Sequence, residues 1–144
     1  MQIKILDPKV SLPAHATTGS AGVDLRVCMD TPEYTLQPGE SRLFSTGLSV
    51  YIQDPKYAGF VIPRSGLGSK LGVVLGNLTG LIDSDYQGPL MVCLWNRSSE
   101  PRLITDLDRV AQLVIVPVVQ VTWEVVTDFV QTDRGTSGFG STGV

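Results

Sequence analysis

A chain whose apolar runs are cut every few residues by glycine or proline cannot build long helices, and that punctuation constrains this sequence more than any single motif. Fifteen glycines and nine prolines are spread through 144 residues. Between them, "SVYI" alternates apolar and polar side chains. "QVTWEV" alternates throughout, with Val121, Trp123 and Val125 on one face and Gln120, Thr122 and Glu124 on the other. "LMVCLW" and "QLVIV" are unbroken, the pattern of strands buried on both faces. Together these runs predict roughly ten short strands, the number of a sandwich, jelly roll or barrel. Pro117, inside "IVPVV", must lie at a sheet edge or bulge because it has no N–H for a ladder. One stretch departs from the pattern: "PRSGLGSKLG", residues 63–72, reads as a strand end followed by a short helical turn, with Ser65 as its N-cap and Gly72 as its stop.

A chain of this length fits one domain, and a hydrophobic fraction of 42% supplies a packed core. The longest apolar run, Leu113 to Val119, is far too short to cross a bilayer. The N-terminal "MQIKILDPKV" lacks a long apolar stretch before a small-residue cleavage site, so no signal peptide is expected. The formal net charge is -3, and the 11 Lys and Arg are scattered. A large nucleic-acid surface, which needs clustered cations, is not expected, whereas a single nucleotide can be held by a few donors. The two cysteines, Cys28 and Cys93, are too far apart in sequence for a metal motif and read as small buried hydrophobes. The one histidine, His15, sits in a loop-like setting, so zinc chemistry is not expected and any general base is a carboxylate.

The chemistry-bearing residues fall in short stretches. In "GLIDSDYQG", Asp83 and Asp85 on one extended face would repel each other, so a hairpin bend is the easier conformation. A solvated turn explains such residues by itself. Asp83, however, directly follows Leu81 and Ile82, and a carboxylate at the end of an apolar strand lies at a pocket mouth where it can act on water. "PRSG" puts a cation and a hydroxyl at a helix start, where free N–H groups favour phosphate; alone it is an ordinary capped helix with an exposed Arg. "AGVDL" places Asp24 within an apolar strand, either satisfied by an arginine or orienting metal-bound water. In "DRVAQLV", Arg109 opens a strand and Gln112 sits among apolar residues, a structural hydrogen bond by default. The tail "RGTSGFGSTG" can bring backbone N–H groups close to phosphates, and its lone Phe139 suits stacking on a planar base.

In this order the stretches "AGVDL", "PRSGLG", "GLIDSDYQG", "DRVAQLV" and "RGTSGFGSTG" resemble the motif set of the trimeric dUTPases, over about Lys4 to Gly143 and closest to bacterial-type members. The resemblance implies an all-β jelly-roll-like homotrimer. A single domain spans residues 1–130, and a flexible Gly-rich arm, residues 131–144, closes over a neighbouring active site. It implies magnesium-assisted hydrolysis of dUTP to dUMP and pyrophosphate in the cytoplasm, at sites assembled from all three chains, with no nucleic-acid or membrane partner. Asp83 is then the base for the attacking water. Arg64, Ser65, Gly66 and Gln112 hold the triphosphate. Asn77, Leu81, Ile82 and Met91 line the uracil and deoxyribose pocket, and Tyr86 stacks under the sugar and excludes a 2′-hydroxyl. Asp24 contacts magnesium-bound water, and the arm adds Arg134, Phe139, Ser141 and Thr142. Pro89 and Ser137 depart from the usual family residues. Rival readings are a dCTP deaminase-like enzyme on the same fold and a nucleotide-switched trimer that binds a protein partner.

Overall fold

The computed structural model describes residues 1–138, among which ten strands and one helical turn form. The strands are β1 Gln2–Ile5, β2 Gly22–Arg26, β3 Glu33–Leu36, β4 Ser41–Tyr51, β5 Tyr57–Pro63, β6 Val73–Leu75, β7 Gly80–Ile82, β8 Pro89–Asn96, β9 Arg102–Thr105 and β10 Arg109–Pro117. One four-stranded sheet runs β1-β4-β8-β6 and another β2-β10-β5-β7, with β3 and β9 as a separate pair. Every pairing is antiparallel. The fold is thus the all-β, jelly-roll-like sandwich that the short punctuated runs predict.

The core lies between the inner faces of the two larger sheets. Leu48, Val73, Leu75, Leu90, Val92 and Leu94 come from one sheet, and Leu25, Val61, Ala111 and Leu113 from the other, all in a single buried cluster with Val27, Leu36 and Ile104. Each of these Val, Leu and Ile side chains contributes about 1.5–3 kcal/mol by leaving water. Pro117 pairs only with Tyr57, because β2 covers β10 no further than Val114, so its missing N–H faces an open edge as expected. Gly47 bends β4 with φ at +67°, and a Cβ there would stand 2.6 Å from a Val10 methyl.

Three expectations need correction. "LMVCLW" is not buried on both faces: in β8, Leu90, Val92 and Leu94 point inward, while Met91 is exposed and Cys93 and Trp95 are half-buried on the outer face. "QVTWEV" joins no ladder. Trp123 is 85% exposed and Val125 97%, because the segment pairs with none of the described strands of its own chain. Ser65 is not the cap of the helical turn. The Arg64 carbonyl accepts the first bond, from Gly68 N–H at 3.1 Å, and Ser65 already lies inside the turn. The turn, Leu67–Leu71, is a wide one that ends as expected at Gly72, whose φ of 70° lets its N–H reach back to the Leu67 carbonyl. The cysteines are free and half-buried. Burial, followed by a hydrogen bond to the Asp7 carboxylate, holds the Cys28 thiol above its ordinary pKa, which suits packing rather than reactivity.

Asn96 ties the small β3–β9 sheet to the rest. Fully buried, its amide donates to the Leu36 carbonyl at 3.0 Å and the Glu100 carbonyl at 2.8 Å, and its oxygen accepts from the Ser98 hydroxyl at 2.7 Å. Asn96→Ala strands the buried Leu36 carbonyl and removes the acceptor of the half-buried Ser98 hydroxyl, and is expected to cost about 1–3 kcal/mol, read as the shift in urea unfolding at fixed protein concentration.

Candidate functional site

A cleft of about 610 Å³ opens where β2, the end of β5, the helical turn and β10 meet. Asp24, Arg64, Ser65, Gly66, Lys70, Arg109 and Gln112 line it. The strand register explains the convergence. Gln112 lies directly opposite Asp24 on β2 and opposite Ile62 on β5, so β10 carries both neighbours' functional ends. Asp24 takes Arg64 Nε on one carboxylate oxygen at 3.0 Å and Arg109 Nη1 on the other at 3.2 Å. Arg64 also donates to the Arg109 carbonyl at 3.0 Å, and the Gln112 amide donates to the Pro63 carbonyl at 3.1 Å. Both simpler sequence readings, an arginine-satisfied Asp24 and a structural hydrogen bond at Gln112, therefore hold in this structure. The Ser65 hydroxyl has no hydrogen-bond partner among the described residues and remains available to a ligand.

Three cations against one carboxylate give the lining a charge of +2, on a chain whose net charge is -3. Such a local reversal suits a polyanion. Among the described residues no group of three His, Cys, Asp or Glu side chains is placed to cage a metal ion. Asp24 is the one carboxylate among the described residues of the lining, which fits a cation held mainly by a ligand's own phosphates with one carboxylate reaching it through water.

Asp83 lies elsewhere. It borders a separate hollow of about 510 Å³ with Gln53, Tyr57, Ala58, Ser84, Asp85 and Val118, and no residue lines both. Ile82 pairs with Gly59, so along β5 the start of the Asp83 turn is about 17 Å from Arg64, at ~3.3 Å per residue. The turn is the expected hairpin bend: Tyr86 N–H donates to the Asp83 carbonyl at 3.2 Å. The Tyr86 ring, 41% exposed, is braced by its hydroxyl donating to the Pro89 carbonyl at 3.0 Å and lies against Gly88, where a Cβ would meet the hydroxyl at 2.4 Å.

The remaining expected nucleoside residues surround this hairpin. Asn77 sits in the turn before β7, and Leu81 and Met91 expose their side chains while Ile82 packs on the core. β7 is an edge strand, and among the described residues no strand pairs with its side away from β5, so N–H and C=O groups there are open to a planar ligand. Arg134 lies in a turn closed by Gly135 N–H on the Thr132 carbonyl, far along the exposed tail. Phe139, Ser141 and Thr142 lie outside the described residues. Sequence reasoning missed Arg109 and Lys70 as lining residues. The signal for Arg109 was its place at the start of β10. An irregularity between Arg109 and Ala111 sets it opposite Arg26, two strand positions along β2 from Asp24.

A cationic cleft at one end of a sheet and an exposed edge strand at the other, in an all-β sandwich, suit a nucleotide as ligand. The chain belongs to the dUTPase family, whose model matches residues 8–143. It is 59% identical over 145 residues to the deoxyuridine 5'-triphosphate nucleotidohydrolase of Burkholderia ambifaria, covering 99% of this chain and 97% of that protein. Identity to the same-named protein of Histophilus somni is 59% over 147 residues, with 99% and 97% covered. Among solved structures, the dUTPase of Staphylococcus bacteriophage 80alpha with dUPNHPP superposes with a TM-score of 0.83 at 29% identity, covering 99% of this chain and 98% of that one. A point mutant of the dUTPase from phage phi11 of S. aureus, described with a structural Mg(II) ion, gives a TM-score of 0.77 at 26% identity, covering 89% and 97%.

Replacing Asp24 tests the charge in the cleft. Asp24→Asn raises the lining from +2 to +3 and is expected to bind magnesium-free pyrophosphate severalfold more tightly in calorimetry. Weaker binding would show that aiming the two guanidinium groups outweighs their neutralisation.

Proposed function

We propose that the chain hydrolyses dUTP to dUMP and pyrophosphate, as a homotrimer whose sites combine residues of different subunits. The observation that carries the shared site is the separation, within one chain, of the cationic cleft from Asp83 by about 17 Å along β5. A triphosphate in the cleft cannot also present its α-phosphorus to the same chain's Asp83, whereas a neighbour's hairpin can supply the base. The unladdered segment at 120–126 and the apolar outer face of β8 support an assembly, because both are surfaces that another copy would cover.

In this reading Arg64, Ser65, Gly66 and Gln112 hold the phosphate chain. The β7 edge with Asn77 and Met91 receives uracil, and Tyr86 lies under the deoxyribose. Asp83 accepts a proton from a water as its oxygen bonds to the α-phosphorus, and the bond from that phosphorus to the bridging oxygen breaks, so pyrophosphate leaves with the electron pair. Magnesium, when bound with the substrate, supplies charge neutralisation on the phosphates, and Asp24 is the residue that would meet its water shell. Residues 1–130 act as the domain and 131–144 as an arm carrying Arg134, Phe139, Ser141 and Thr142 over a neighbour's site. The enzyme works on the cytoplasmic nucleotide pool; among the described residues no helix is long and apolar enough to cross a membrane.

Pyrophosphate release from a panel of deoxynucleotides and ribonucleotides, with magnesium present, tests the activity; ammonia release from dCTP would indicate the deaminase instead. Asp83→Asn is expected to keep fold and dUTP binding while lowering turnover by roughly a hundredfold or more. Mixing that variant with a chain truncated after Asp133 should revive roughly a quarter of sites, since in a cyclic trimer base and arm then come from different chains. Verified mixed trimers without recovery would sink the shared site.

Sugar discrimination has its own test. Gly88→Ala must push the Tyr86 ring aside and is expected to narrow the dUTP-to-UTP ratio of kcat/KM by about tenfold, with the thermal melt little changed. An unaltered ratio would place the discrimination outside this ring.

A further inference from the structure

We propose that Lys70 is a further phosphate-binding residue of the cleft, the cation that answers the added charge of a triphosphate or of the pyrophosphate product. This rests on the cleft being the phosphate site. Of the three cations in the lining, Arg64 and Arg109 already share the Asp24 carboxylate, at 3.0 and 3.2 Å. Lys70 is in no ion pair and makes no hydrogen bond through its ammonium group among the described residues, and it is exposed to solvent.

The helical turn sets its position. Ser65, Gly66 and Leu67 line the cleft at the start of the turn, and Lys70 and Leu71 line it one wide turn later. Arg97 grips the turn by donating to the Gly68 carbonyl at 3.3 Å, and the Ser69 hydroxyl folds back onto the Ser65 carbonyl at 2.7 Å. The turn is therefore fixed in place while the ammonium group stays free on its flexible stem. A strongly hydrated point charge of that kind suits a mobile phosphate chain, where the two arginines offer preset planar donors.

A structural role competes with this. Lys70 stands in the last turn of the helical segment, where a cation also favours the outward carbonyls. Calorimetry with magnesium pyrophosphate separates the two, because it needs no turnover. Lys70→Met is expected to weaken binding about tenfold, to raise the KM for dUTP in parallel while kcat stays within about threefold of the parent, and to flatten the salt dependence of binding. Lys70→Arg restores the affinity, and Lys4→Met, which removes a charge outside the cleft, leaves it unchanged. Unaltered pyrophosphate affinity in Lys70→Met, with only the melting temperature lowered, overturns the proposal. A parent chain that binds pyrophosphate through Lys70 but releases none from dUTP would instead overturn the proposed activity and leave the Lys70 assignment standing.

Discussion

The site depends on one carboxylate. Asp24 stands on β2 and takes an arginine from the end of β5 on one oxygen and an arginine from the start of β10 on the other. These are three consecutive strands of one sheet, so the pair of contacts closes its end. Stability does not explain the arrangement. The arginine side chains are 30% and 48% exposed, and pairs of that kind contribute about 0.2–1 kcal/mol each. The effect is positional. Two guanidinium groups that would otherwise sweep through water are held at the cleft before any ligand arrives, and the Gln112 amide fixes the Pro63 carbonyl just ahead of Arg64. Donors already in place need no ordering when phosphate binds, which is where preorganised charge has its advantage over mobile charge.

Once the cleft is fixed at that end of the sheet, the elements at the other end that are proposed to read the nucleoside become the constraint. β7 pairs with β5 through Gly59, Phe60 and Val61, and the hairpin that follows feeds straight into β8. Met91 on β8 shares the outer face with Leu43, which is 58% exposed, and with the half-buried Cys93 and Trp95. An apolar sheet face beside the Asp83 hairpin is a surface that a monomer leaves in water at a cost. Covering it with a second copy would remove that cost and, in the proposed trimer, would bring a neighbour's cleft towards the hairpin. In the proposed trimer, folding energy and active-site assembly therefore come from the same contact.

Much of this was legible in the sequence, and the failures have physical causes. Alternation and turn residues located the strands, because side-chain period and glycine placement are properties of the local chain. The order of the motifs brought Asp24, Arg64, Ser65 and Gln112 into one reading, and the structure lines one cleft with all four. "LMVCLW" misled because an unbroken apolar run looks the same whether its second face meets its own chain or another. "QVTWEV" misled for the related reason that a strand pattern encodes a ladder without naming its partner. Ser65 slipped by one position because the helical start is set by which carbonyl Gly68 reaches, and that choice is not written in residue type. Lys70 escaped because its place depends on a wide turn rather than on ordinary helical spacing.

The hairpin shows how selectivity can rest on a small, stiff unit. Pro89 opens β8 opposite Ser49, where a missing N–H is tolerated at the first strand position, and its carbonyl takes the Tyr86 hydroxyl. The Ser49 hydroxyl donates to the Gln87 carbonyl at 2.8 Å, and Gln53 N–H donates to the Ser84 carbonyl at 2.8 Å. The turn is thus pinned from β4 and from the loop after it while Gly88 leaves the ring its space. Excluding a hydroxyl by contact works only if the wall does not yield, since a ring able to swing away would admit the ribonucleotide at little cost. Uracil and sugar would then be read by one rigid element and phosphate by another on a different subunit. In the proposed trimer a ligand that satisfies only one of them would leave the hydrolytic geometry incomplete, so discrimination and catalysis would share a single requirement, the docking of one chain's hairpin over another chain's cleft.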